Sequence, residues 1–160
     1  MKHTRYVTQA ALVAALYVVL TYLSAAIGLS SGVIQIRFSE ALTILPYFMP
    51  SSIPGLFVGC IFANSLTGCA VWDVIFGSIA TLLGAIFTYL LRKKNKFLAP
   101  IPPILANTII VPFVLKFIYG FNGALPYFFL TVFIGEVLSC GVLGMLLLIA
   151  LEKNKFYRYL

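Results

Sequence analysis

Five ionisable residues interrupt the apolar stretches of this 160-residue chain: Arg37, Glu40, Asp73, Lys116 and Glu136. An ionisable side chain in hydrocarbon costs about 2.5–3.5 kcal/mol on insertion scales and marks a ligand site or pathway by default. Arg37 and Glu40 are three residues apart and share one helix face. Glu136 stands about eleven residues into its run, roughly 16 Å from the end at 1.5 Å per residue. A carboxylate at that depth needs a cation or a ligand, and Lys116 is the cation that neighbouring segments offer; otherwise its amine snorkels outward. Asn64 and Asn107 add amide donors and acceptors, and Trp72, Tyr119 and Tyr127 fall near the same rim. Together these residues describe a polar cavity walled by aromatics and suited to holding a polar solute. A purely structural arrangement is the alternative: Arg37–Glu40 as an ion pair, Asp73 as a helix cap, the aromatics as an interfacial belt. No Walker-type phosphate loop, HExxH, GxSxG or histidine-paired nucleophile is present, so binding or transport is favoured over catalysis. No cofactor is implied.

The elements that must position these residues follow from composition. The chain is 62% hydrophobic and 9% charged, with a mean hydropathy of +1.06. A soluble domain has about 45–50% apolar and about 25% charged residues, so a soluble, disordered or disulfide-stapled module is excluded. The expectation is an all-α integral membrane protein, one membrane domain over residues 1–160. Six apolar runs, 7–28, 33–49, 51–67, 71–91, 98–119 and 125–151, predict a compact bundle of six transmembrane helices. The first run could mimic a signal peptide ending at Ser24-Ala25-Ala26, but it is longer than a typical signal core and reads as a retained helix. The second and third runs are short, either compact tilted spans or a re-entrant pair buried in protein. Gly28-Leu29-Ser30-Ser31-Gly32 reads as a turn, and Pro112 should kink the fifth helix.

The net charge is +7. Lys2, Arg5, Arg92, Lys93, Lys94, Lys96, Lys153, Lys155 and Arg158 all fall on one side of such a bundle, which predicts cytoplasmic N and C termini. The basic excess is therefore topological and implies no nucleic acid. Cys60, Cys69 and Cys140 form no CxxC pair, and His3 is terminal, so neither a disulfide framework nor a metal site is expected. Ala10/Ala14, Ala11/Ala15 and Gly55/Gly59 have the small-xxx-small spacing that lets helices approach closely, inside the bundle or against a partner.

Arg37-Phe38-Ser39-Glu40-Ala41-Leu42-Thr43-Ile44-Leu45-Pro46, followed by Pro54-Gly55-Leu56-Phe57-Val58-Gly59, is the most specific stretch of the chain. Asn64 with Gly68, Asp73-Val74-Ile75-Phe76-Gly77-Ser78, Pro103-Ile104-Leu105-Ala106-Asn107 and Gly135-Glu136 follow in order. With these segments the chain resembles the membrane substrate-binding (S) component of energy-coupling factor (ECF) transporters, and more closely the queuosine-precursor transporter family, QueT. The resemblance implies a multi-pass protein of a prokaryotic cell membrane that binds a vitamin-like solute from outside. It implies as partners a transmembrane coupling protein and two cytoplasmic ATPases, with Ala10, Ala11, Ala14 and Ala15 facing the coupling protein. The implied substrate is a 7-deazaguanine: the aminomethyl precursor preQ1, the cyano precursor preQ0, or queuine. Its guanine-like face carries N1–H beside a 2-amino group, parallel donors that a carboxylate accepts in bidentate fashion. Glu136 is the first candidate for that role and Glu40 the second. Asn107 or Asn64 would read the ring carbonyl or nitrogens, and Asp73 or Glu40 would meet an aminomethyl cation. The other readings are an S component for a different vitamin-like solute, a proton-coupled secondary transporter working through Glu136, and a structural membrane protein without a ligand.

Overall fold

The computed structural model describes residues 2–30 and 34–154. Ser31, Gly32 and Val33 of the expected turn and second run, and the basic residues Lys155 and Arg158, lie outside the described residues. The elements are α1 (Lys2–Ala26), a 3-10 helix (Phe38–Tyr47), α2 (Ser52–Leu66), α3 (Val71–Leu91), a short 3-10 turn (Lys96–Leu98), α4 (Ile101–Phe117), α5 (Leu125–Glu136), a π-helix (Val137–Gly144) and α6 (Met145–Lys153). The last three run on as one rod, Leu125–Lys153, so the chain makes six helical passes. Four of them are long and apolar enough to cross a membrane: His3–Ala26, Val71–Leu91, Lys96–Phe117 and Leu125–Lys153. Large apolar side chains such as Leu12, Val19, Phe62, Leu90, Ile109, Leu130 and Leu146 cover the outside, the surface a bilayer requires. The protein is a multi-pass membrane protein.

The second pass differs from the helix expected over 33–49. Its regular part is a ten-residue 3-10 helix in which Ser39 through Pro46 are all buried. Being wrapped by protein, this segment is not limited to α-helical geometry by lipid contact. It carries Leu42, Ile44 and Leu45 into a core shared with Val13 and Tyr17 of α1, Leu56 and Cys60 of α2, Ala85 of α3 and Leu148 of α6.

α1 and α2 run parallel: Tyr6 Oη donates to the Pro50 carbonyl (3.4 Å) and Tyr22 Oη to the Leu66 carbonyl (2.9 Å). The seam between them is set by glycine. A Cβ on Gly55 would stand 2.5 Å from the Ala10 carbonyl oxygen, and one on Gly59 would stand 2.9 Å from Tyr17 Cβ and 3.0 Å from Ala14 Cα. Ala10 and Ala14 are thus half-buried against α2, whereas Ala11 and Ala15 are exposed on the bundle surface. Gly84 gives the same closeness to α3 and α4, its Cβ position lying 2.7 Å from Pro103 Cα. Gly59→Val should cost about 1–3 kcal/mol by overpacking this seam, read as a lower melting temperature in detergent. An unchanged melting temperature would mean that α1 and α2 separate without penalty.

The alternating passes bring Arg5, the segment Arg92 to Lys96, and Lys153 to one end of the bundle. At that end Lys96 Nζ pairs with Glu152 Oε2 at 2.8 Å, and Thr88 Oγ1 donates to the Ala99 carbonyl (2.8 Å). The opposite end holds the C-termini of α1, α2 and α4 and the N-termini of α3 and α5.

Candidate ligand-binding site

A cavity of about 620 Å³, open mouth included, occupies the half of the bundle away from the basic end. Every long element except α1 contributes to its lining: Gln35, Arg37 and Glu40 precede or belong to the 3-10 helix, Cys60 comes from α2, and Asp73, Gly77 and Thr81 from α3. Asn107, Val111 and Leu115 come from α4, and Thr131, Val132, Glu136 and Ser139 from the rod.

Glu40 is 3% exposed. Its Oε1 accepts a hydrogen bond from the buried Tyr17 hydroxyl, and its Oε2 has no partner. Glu136 lies across from it at the junction of α5 and the π-helix. The Cys140 thiol donates to Glu136 Oε2 (3.2 Å) and lies 3.4 Å from Thr43 Oγ1. One oxygen of Glu40, one of Glu136 and the Cys140 sulfur lie within 4.8 Å of one another. Glu136 and Ser139 both line the cavity and the Cys140 thiol reaches Glu136, and π distortions within helices recur at functional sites. Two glycines let the rod approach: a Cβ on Gly135 would collide with the Gln35 carbonyl oxygen, and one on Gly144 would stand 3.0 Å from Ile44 Cγ2.

Asn107 is 4% exposed. Its side chain adjoins both carboxylates, yet Nδ2 closes no hydrogen bond of ordinary length. A buried amide donor and a buried carboxylate acceptor thus adjoin at one cavity without closing a hydrogen bond, and either a ligand or a small shift that pairs them removes the cost.

Arg37 does not pair with Glu40. Among the described residues the ion pair within 4 Å is Lys96–Glu152 alone. The Arg37 Nη1 instead donates to Asn64 Oδ1 (3.4 Å), and its backbone N–H to Ser139 Oγ (3.1 Å). Asn64, 1% exposed, does not line the cavity but stands behind Arg37 and aims it. The strap leading into the 3-10 helix is tied down by Ile36 N–H to the Leu29 carbonyl (2.9 Å) and Phe38 N–H to Ser24 Oγ (2.8 Å).

Asp73 sits in the first turn of α3, where the helix dipole favours an acid, but Ala70 holds the N-cap position and no side chain caps there. Asp73 Oδ2 accepts from Tyr119 Oη at 3.0 Å, and Tyr119 Oη accepts from Ala70 N–H at 3.1 Å. Burial, and then the Asp73 carboxylate beside it, push the Tyr119 phenol up to about 12 against the pull of the Ala70 N–H. The phenol therefore keeps its proton across the physiological range and remains the donor to Asp73. Tyr119 thus braces the mouth through Asp73 and does not line the cavity.

Lys116 does not reach Glu136. Its Nζ donates to the Gly123 carbonyl (2.9 Å), closing the loop between α4 and α5. Trp72 is 56% exposed and stacks on Phe76 with ring centroids 6.0 Å apart, outside the cavity. Of the sequence-predicted residues, the fold therefore gathers Arg37, Glu40, Asp73, Asn107 and Glu136 around one space, with Asn64 and Tyr119 supporting. Sequence reasoning missed Tyr17, Gln35, Ser139 and Cys140. Ser139 and Cys140 were accessible from their spacing to Glu136; Tyr17 carries no local signal, because the 3-10 helix alone brings Glu40 to it.

Among the described residues Glu40, Glu136 and Cys140 are the group able to hold a metal ion. Their hydrogen bonding is that of a thiol donating to a carboxylate, and they equally present acceptors to an organic ligand.

No solved structure matches the chain. A relative named queuosine precursor transporter QueT, from Lactococcus lactis subsp. cremoris (strain MG1363), is 41% identical over 73 residues, which are 46% of this chain and 43% of that protein. The matched part thus spans less than half of the relative's length. The family description "QueT transporter" matches residues 7–153, nearly the whole length, and on that match the chain belongs to the QueT transporter family.

Proposed function

We propose that this chain is the substrate-binding membrane subunit of an ATP-driven ECF importer, that it takes a queuosine precursor from the extracellular side, and that it performs no catalysis itself. The observation that carries the proposal is the cavity in which Glu40 Oε2 and Asn107 Nδ2 are buried without partners beside Glu136. A 7-deazaguanine brings donors for carboxylates and a carbonyl for the amide. The relative in Lactococcus lactis is named for the same class of solute. In this reading Glu136 accepts from the guanine-like edge with Glu40 and Asn107 around it, Arg37 and Gln35 close over the ring, and Asp73 faces a substituent directed toward the mouth. The basic end, with both termini, is cytoplasmic by the positive-inside rule, which turns the cavity outward. The exposed Ala11 and Ala15 face the coupling protein, and ATP hydrolysis belongs to the two partner ATPases.

Calorimetry on protein purified in detergent tests this directly. Queuine and the aminomethyl and cyano precursors are expected to bind selectively, guanine more weakly and riboflavin not at all. Well-folded protein that binds none of them would sink the queuosine reading. Uptake by cells lacking the ATPases would instead favour a proton-coupled secondary transporter.

A further inference from the structure

The two carboxylates and the amide have a pattern that one end of a flat ligand can answer. Glu40 is fixed, because its Oε1 is committed to Tyr17, and this leaves Oε2 as an unsatisfied acceptor. Glu136 offers further acceptor capacity within 4.8 Å of Glu40, since its Oε2 accepts only one thiol and each carboxylate oxygen has two lone pairs. Asn107 Nδ2 is an unsatisfied donor beside both. A nitrogen with two N–H groups, each reaching an oxygen about 2.9 Å away, holds those oxygens roughly 5 Å apart. An oxygen of Glu40 and one of Glu136 lie no more than 4.8 Å apart, close enough for one amino nitrogen to reach both carboxylates. Among the described residues neither carboxylate has an ion-pair partner within 4 Å, and Arg37, which lines the same cavity, donates to Asn64.

Building on the proposed function, we infer that Glu40 and Glu136 together grip the exocyclic 2-amino group of the ligand, one hydrogen each, and that Glu40 is the residue that makes this amino group a requirement. Glu136 also accepts N1–H. A ring that lacks the amino group leaves Glu40 Oε2 buried without a partner. Sites built to hydrogen-bond a polar group reject analogues that lack it far more strongly than apolar pockets reject a missing methylene.

The test is a cycle between ligand and protein. Binding of 7-cyano-7-deazaguanine and of 7-cyano-7-deazahypoxanthine, which lacks the 2-amino group, is measured by calorimetry on the full chain, its Glu40→Ala variant and its Glu40→Gln variant. The nitrile removes the aminomethyl arm from the comparison, so any effect of Glu40 belongs to the ring. Unaltered protein should prefer the amino ligand by at least about tenfold. Glu40→Ala should weaken the amino ligand by at least about tenfold and the deamino ligand by less than about threefold. Glu40→Gln, which keeps the volume and an acceptor for Tyr17, should follow the same asymmetry with a smaller loss. Equal losses for both ligands would overturn the inference, since a residue that only shapes the cavity affects both alike. Equal affinity of the unaltered protein for the two ligands would overturn it as well, while leaving the deazaguanine reading in place. If folded protein bound neither, both the inference and the proposed function would fall.

Discussion

Glu136→Gln is expected to weaken binding of a 7-deazaguanine by more than about tenfold. A hydrogen bond to a charged partner contributes about 1.5–3 kcal/mol, and each 1.4 kcal/mol is about a factor of ten. The exchange keeps volume but replaces one carboxylate oxygen with an N–H donor, which would face the ligand's own N1–H or amino group. Stability should move the other way. Glu136 stands within 4.8 Å of Glu40, with the Cys140 thiol as its hydrogen-bond donor and no cation within ion-pairing distance. Removing one of two neighbouring carboxylates, Glu40 buried and Glu136 half-buried, relieves repulsion and desolvation, so the melting temperature of the ligand-free protein should hold or rise. Sites that bind are often strained in this way when empty. Calorimetry and a thermal melt on the same preparation read both effects. Unchanged affinity would remove Glu136 from the site, and lost affinity with a large drop in melting temperature would make it structural.

Glu136 also shows how much of the site was legible in the sequence. Its depth in an apolar run was enough to nominate it, because an ionised side chain in hydrocarbon has few structural uses. The same logic nominated Arg37, Glu40 and Asp73, and all of them line the cavity. What the sequence did not carry was pairing. Lys116 was the cation on offer for Glu136, yet a flexible amine at the very end of α4 finds a loop carbonyl at Gly123 more easily than a carboxylate on another helix. Arg37 and Glu40, three apart, would share a face on an α-helix; Arg37 in fact precedes the 3-10 helix in extended conformation, and its guanidinium turns to Asn64. That one departure from α-helical geometry also explains why Tyr17, the donor to Glu40, was invisible. The number of passes was readable from hydropathy. The form of the second was not, because a segment surrounded by protein is as apolar as one surrounded by lipid.

If the proposed coupling protein docks on α1, replacing Ala11 and Ala15 together by leucine should abolish most ATP-dependent uptake, a loss of more than about tenfold, while ligand affinity stays within about twofold. The expectation follows from which face of α1 each alanine occupies. Ala10 and Ala14 press against Gly55 and Gly59, so enlarging them would force α1 and α2 apart and damage the bundle that carries the cavity. Ala11 and Ala15 are exposed one residue further round. Leucine there meets lipid tails as apolar as itself, so the fold is not penalised. A coupling-protein helix that depends on close backbone approach would be held off by two added isobutyl groups, and small-to-large changes at such contacts remove the packing that drives association in a membrane. Uptake in cells that express the coupling protein and ATPases, compared with calorimetry on the purified variant, separates the two effects. Full uptake by the double variant would mean that no coupling protein docks on this face of α1. Lost binding together with lost uptake would mean that this face of α1 supports the bundle itself, with Tyr17 and through it Glu40 disturbed by a shift of the helix. Only loss of uptake with retained binding assigns the face to a partner.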